Sequence, residues 1–242
     1  MRRIFSLDGP LMSALSKFAD IVLLNILFII CSLPIITIGA STTALYYVTL
    51  KMVKDEESYI FKNFFKSFVM NLKQATAIWM FILVVSGILV ADFMIMSGQL
   101  GDFQGLPELV SKAMNVIFMM VLVAITFIAT YAFPLLAKFD NTTKNTIKNA
   151  LLMSIRHFPY SILMIVINVL PIVLIYFFLP AFIIIVFIFA LSAFICSHFF
   201  VKIFVLYLPK EEEIKDDEDF NISQHEDSFL FESNVVESEG DD

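Results

Sequence analysis

The sequence predicts an all-α, polytopic helical membrane protein, and three observations carry that expectation. Phe18 to Val53 reads FADIVLLNILFIICSLPIITIGASTTALYYVTLKMV, with Asp20 and Lys51 as its only charges. Of the 242 residues, 59% are hydrophobic and 16% charged, where soluble domains carry about 45–50% and about 25%. Further apolar windows then recur at lengths matched to a bilayer. A hydrocarbon core about 30 Å thick needs about 20 apolar residues of helix.

The first region, Phe18–Val53, admits two readings. Pro34 stands near its middle, and a proline cannot donate the backbone bond that carries a helix on. Two short spans, Phe18–Leu33 and Ile35–Val53, would turn there. Alternatively, one span over about Phe18–Thr37 would lead into an interfacial helix. The first half is short for a span, so Lys17 would snorkel or the hairpin would be partly re-entrant. A cleavable signal peptide fits poorly, because the chain stays apolar well beyond Pro34.

The later windows follow in order. Ala75–Met96 holds one acid, Asp92, while Ala113–Ala137, Tyr160–Leu179 and Ala181–Val201 hold no charge. Pro180 divides the last two into a helical hairpin.

Charge orients these spans, because loops on the cytoplasmic side carry excess Lys and Arg. With six transmembrane helices and both termini inside, 15 Lys/Arg lie in inner segments and only Lys112 lies outside. The five-span alternative gives 12 inside and 4 outside. Six spans are therefore preferred, with both termini on the cytoplasmic side. The domains are a cytoplasmic N-terminal segment (1–17), a helical transmembrane domain (18–208) and an acidic cytoplasmic tail (209–242).

The net charge of −7 averages two unlike regions. Residues 1–210 hold 15 Lys/Arg against 9 Asp/Glu, a net of +6, and residues 211–242 hold 1 Lys against 14 Asp/Glu, a net of −13. High charge of one sign argues against a packed core and predicts a disordered tail. Within it, Phe229-Leu230-Phe231 has the look of a short partner-binding motif.

The inner loop KDEESYIFKNFFKSFVMNLKQA places Phe61, Phe64/Phe65 and Phe68 at helical spacing, with Lys62, Lys66 and Lys73 off that stripe. An amphipathic helix in the inner headgroup layer is expected, as a lipid anchor or as a docking helix. The second inner loop, FDNTTKNTIKNALLMSIRHFPYSIL, echoes the first. Lys62-Asn63 and Lys66 recur as Lys144-Asn145 and Lys148, 82 residues on. Duplicated halves are frequent in transport-related folds.

Polar residues within the spans are where function is sought first. Asp20 follows Lys17 at i,i+3 and is expected to pair with it. Asn25 is deep enough to bond another helix. The run Gly39-Ala40-Ser41-Thr42-Thr43-Ala44 suits close helix packing, with a polar cargo site as the alternative. Asp92 and His198 are isolated, and Asn168 with Pro171 suggests a kink. Cys31 and Cys196 read as small buried hydrophobes rather than a disulfide.

No phosphate loop, HExxH or paired Cys/His cluster occurs. No catalytic, cofactor-binding or metal-ligating residue is assigned, no cofactor is expected, and the chain is not read as an enzyme. Its inner basic loops are too sparse for nucleic acid. The expected partners are the lipid bilayer and another membrane protein, with oligomeric state open.

The strings LDGP, the run from Phe18 to Val53, and EESYIFKNFFKSFVMNLKQATAIW resemble the YesL family of bacterial membrane proteins. Matching positions include Gly9, Pro10, Asp20, Asn25, Leu33, Pro34, Thr37, Gly39, Ala44, Tyr46, Phe65, Phe68, Asn71, Lys73, Gln74 and Ala75. Phe133, Pro134, Asn149, Ala150 and Arg156 extend the likeness, which covers roughly residues 5–208. The acidic tail departs from it. Genes of this family often stand beside those for carbohydrate-uptake ABC transporters. The resemblance therefore implies a non-catalytic accessory to sugar uptake, with an ABC permease as its expected partner. The alternative is an autonomous small transporter or channel for a polar solute.

Overall fold

The computed structural model describes residues 10–56, 59–96, 108–177 and 187–207. Among them no strand occurs. The helices are α1 (Pro10–Ser32), α2 (Ile38–Val53), α3 (Ile60–Met96), α4 (Glu108–Lys138), α5 (Thr143–Arg156), α6 (Phe158–Phe177) and α7 (Ile188–Phe204). The chain divides into two units, Met1–Val201 and Lys202–Asp242. The expected turn at Pro180, the acidic tail and its Phe229–Phe231 motif lie outside the described residues.

Among the described residues, four helices contain stretches long and apolar enough to cross a membrane: Leu15–Ser32, Ile60–Ile95, Lys112–Lys138 and Phe158–Tyr176. The 16 residues of α2 are too short for that, and most of them are buried.

The break at Pro34 is present. Pro34 is extended (φ −74°, ψ 118°) and a single 3-10 turn over Ile35–Thr37 leads into α2. A break in an apolar setting frees carbonyls that need donors. Thr37 Oγ1 donates to the carbonyls of Cys31 (2.7 Å) and Pro34 (2.8 Å). Trp79 Nε1 on α3 donates to that of Ile35 at 2.7 Å. Just after the turn, Gly39 lets α2 meet α3 closely. A Cβ there would lie 2.6 Å from the Ala75 carbonyl and 2.7 Å from Trp79 Cβ.

At its other end α2 closes in a Schellman motif. The Glu56 N–H bonds the Lys51 carbonyl and the Asp55 N–H bonds that of Met52. Asp55 takes the left-handed position, φ 55°, which aspartate tolerates better than most residues. Its carboxylate receives Lys17 Nζ at 2.7 Å. The start of α1 and the end of α2 therefore share one end of the hairpin. The expected Lys17–Asp20 pair is not formed, because Lys17 reaches across the hairpin instead.

The expected separate interfacial helix after α2 is corrected by α3, which runs unbroken for 37 residues, about 55 Å. Its phenylalanines are divided between two faces of the helix. Phe64 is fully buried and belongs to an inward stripe with Ile60, Ser67, Ala75, Ile78 and Ile82, while Phe61, Lys62, Lys66 and Lys73 stay exposed. Nothing between Ile60 and Met96 interrupts the helix, since the segment lacks proline.

Helices α3 and α4 run antiparallel, with Trp79 against Phe133 and Phe93 against Phe118. The α1–α2 tip is level with Trp79, so α3 continues 17 residues further to Met96, about 25 Å.

Helix α5 is capped by Thr142, whose side chain accepts the Asn145 N–H. It folds back along α4, burying Thr146, Ala150 and Met153. Its buried stripe thus faces the protein. At His157 the helix breaks and α6 resumes. Pro159 sits in the first turn of α6, where its missing N–H leaves no bond unmade.

The 82-residue echo sets one unbroken helix against two. Shifted by 82, α3 falls on residues 142–178, which α5 and α6 together fill as Thr143–Phe177. Phe64 and its counterpart Thr146 are both buried.

Candidate functional site

The interior polar groups gather where α2, α4, α6 and α7 meet. Burying a hydroxyl or amide without a partner is unfavourable by several kcal/mol, of order 1–3 in proteins. Each group here is held by a neighbouring helix or its own. Tyr46 O–H donates to Asn168 Oδ1 at 3.2 Å, and Asn168 Nδ2 donates to the Met164 carbonyl at 3.0 Å. The Cys196 sulfur lies 3.7 Å from the same amide nitrogen. Thr49 and Ser197 share a hydroxyl bond of 2.8 Å.

A second set joins α4 to α5 and α6. Tyr131 O–H and Ser161 Oγ are 2.8 Å apart. Ser161 has one proton, and its oxygen lies 2.7 Å from the Ser154 carbonyl and 3.0 Å from that of His157. With that proton spent on a carbonyl, Tyr131 is the donor. Between the two sets stands Phe200, edge-on to Tyr46 (5.7 Å, 87°) and to Tyr131 (5.2 Å, 85°), the favoured geometry for aromatic pairs.

The polar residues singled out in the sequence are spread along the body. Asn25 is fully buried and bonds another helix as expected, its Oδ1 accepting the Ala190 N–H at 2.9 Å. It thereby satisfies an N–H in the first turn of α7, which has no acceptor within that helix. The hydroxyls of Ser41, Thr42 and Thr43 return to the carbonyls of Thr37, Ile38 and Gly39. The run thus turns its hydroxyls back on the backbone just before it.

Asp92 is exposed and lines an apolar cleft of about 310 Å³ with Phe93, Asn115 and Phe118. His198 lies on α7, with Nδ1 3.0 Å from the Phe194 carbonyl. Cys31 and Cys196 are free thiols. Pro171 lies inside α6, three residues after Asn168.

Sequence reasoning missed Tyr46, Thr49, Tyr131, Ser161 and Ser197 as one constellation. The available signal was the tyrosines themselves, since a phenol inside an apolar helix needs a partner. Among the described residues, no three His, Cys, Asp or Glu side chains gather to hold a metal ion. The arrangement ties helices together and presents no paired acid and base.

No curated protein and no solved structure was found to match the chain. Residues 21–93, from α1 to near the end of α3, match the model of a family described as protein of unknown function, DUF624, which YesL-family proteins carry.

Proposed function

We propose that this chain is a non-catalytic, multi-pass membrane accessory protein that binds another membrane protein, and that its partner is the permease of a carbohydrate-uptake ABC transporter. The observation that supports an accessory over a conduit is the closed polar interior. Tyr46–Asn168, Thr49–Ser197 and Tyr131–Ser161 direct their hydrogen bonds at one another. The sugar-transporter assignment rests on the resemblance to the YesL family.

In this reading the lysine-rich end, with Lys17, Lys51, Lys54 and Lys138, faces the cytoplasm of a bacterium. The α1–α2 hairpin enters from that side and turns inside the bilayer as a re-entrant element. Its length supports this, because its tip stops about 25 Å short of the end of α3.

Mild-detergent purification from native membranes at native expression, followed by mass spectrometry, tests the reading. A permease recovered in near-stoichiometric amount is expected. A preparation free of partners, together with unchanged sugar uptake in a deletion strain, would overturn it.

The sequence echo between α3 and α5 favours one second reading, an autonomous transporter for a polar solute. Flux of a neutral sugar into liposomes holding only this chain would establish that reading. Sealed liposomes would remove it.

A further inference from the structure

We infer that the cleft between the C-terminal ends of α2 and α4 is a binding site for a phosphate group. The cleft has a volume of about 190 Å³ and is lined by Tyr47, Leu50, Lys51, Lys54, Glu56, Ala137 and Lys138. This site is independent of the accessory reading and belongs to neither polar set of the interior.

Three ammonium groups meet one carboxylate there. Glu56 is shared between two lysines at the outer limit of ion pairing, 4.0 Å to Lys51 Nζ and 3.9 Å to Lys54 Nζ. Among the described residues no carboxylate pairs with Lys138, which is exposed. The lysines also complement the negative ends of two helix dipoles, worth about half a charge each. That role accounts for about one of the two excess positive charges. The other remains, in a recess rather than on an open face.

The walls suit a phosphate at a membrane surface. Lys51 lies 5.1 Å from the centre of the Tyr47 ring, which holds its ammonium over the cleft. Leu50 and Ala137 add an apolar side. Lysine binds phosphate as a point charge and needs no fixed fork of donors. Basic pockets between helices at the cytoplasmic surface are a recognised setting for anionic headgroups. A phosphodiester headgroup and free phosphate share this chemistry.

The test uses the full chain in nanodiscs. In the first arm the lipid is phosphatidylcholine with a minor fraction of phosphatidylglycerol, and native mass spectrometry reads the lipid retained. In the second the lipid is phosphatidylcholine alone, and inorganic phosphate is titrated while Tm is followed. Three variants accompany the native chain. Lys51→Gln/Lys138→Gln leaves Lys54 against Glu56 and a net charge of zero in the cleft, Lys144→Gln/Lys148→Gln removes two exposed lysines of α5, and Glu56→Gln removes the competing carboxylate.

Retained phosphatidylglycerol that falls about fivefold for each cleft lysine removed, rises in Glu56→Gln and holds in the α5 variant supports a lipid headgroup site. A phosphate-dependent rise in Tm with the same variant pattern supports a soluble source. Equal effects of the cleft and α5 variants, or no effect in either arm, overturn the site. Lys138→Gln alone keeps the test decisive if the double variant does not fold, since Lys138 holds no carboxylate.

Discussion

Gly39 and Gly87 are chemically identical residues on neighbouring helices, and their surroundings are opposite. A methyl group at Gly39 meets backbone 2.6 Å away, whereas one at Gly87 meets nothing within 4 Å. Gly39→Ala is therefore expected to destabilise by about 1–3 kcal/mol, the range for overpacking a close contact. Gly87→Ala is expected to be neutral or stabilising by up to about 1 kcal/mol, because alanine is the better helix former. Thermal unfolding in one detergent compares them, and equal Tm changes would contradict the close α2–α3 approach.

Asp55 makes a second prediction at this scale. The Lys17 ammonium holds its carboxyl below the ordinary aspartate value, through the hydrogen bond first and the charge second. A carboxyl depressed in the folded state contributes stability above its unfolded pKa, about 3.9. That contribution disappears as pH falls through the lower folded value. The pair is exposed, so the effect on stability is small. Lys17→Gln should return the Asp55 titration, read by carboxyl NMR, to the ordinary range. The residues near Lys17 offered Asp20 first, and only the hairpin brings Asp55 closer.

At the scale of elements, the two long-range bonds that seat helices are the informative ones. Asn25 accepts the N–H of Ala190, and both residues are fully buried. Asn25→Ala leaves that N–H without this acceptor and is expected to destabilise by about 1–2 kcal/mol. Hydrogen exchange at the start of α7 should rise selectively, and unchanged protection there would remove Asn25 as the group that seats α7. Trp79 is the single tryptophan of the chain and donates to the tip of the α1–α2 hairpin. Its fluorescence should report the hairpin. Thr37→Val, which removes the donor to the Cys31 and Pro34 carbonyls, should loosen the tip and shift Trp79 emission. Asn25 was legible as an interhelical donor or acceptor because an amide deep in an apolar helix requires a partner. Its partner was not legible, because 165 residues separate the two.

At the scale of the molecule, the depth of the hairpin decides how many times the chain crosses the membrane. Leu33, at the tip, is 75% exposed in the protein, which suits contact with lipid if the tip stops within the bilayer. With Cys31 and Cys196 replaced, Leu33→Cys should resist membrane-impermeant maleimide applied from either side. Labelling from outside would establish a full six-span arrangement. Charge counting could not reach this distinction, since a re-entrant hairpin and two full spans leave Lys17 and Lys51 on the same side. Its answer depends on where Trp79 meets Ile35 along α3.

The helical membrane class, the break at Pro34 and the 82-residue echo were set by the sequence itself, because hydropathy, proline chemistry and residue spacing are local properties. The single long α3, the inward turn of Phe64, the Lys17–Asp55 pair and the joining of Tyr46 with Asn168 and Thr49 with Ser197 were decided by tertiary structure. In an apolar sequence nearly every face of a helix is equally hydrophobic, so periodicity carries little information about which face turns inward. That choice falls to close approach at Gly39 and to polar groups that find partners only when distant helices meet.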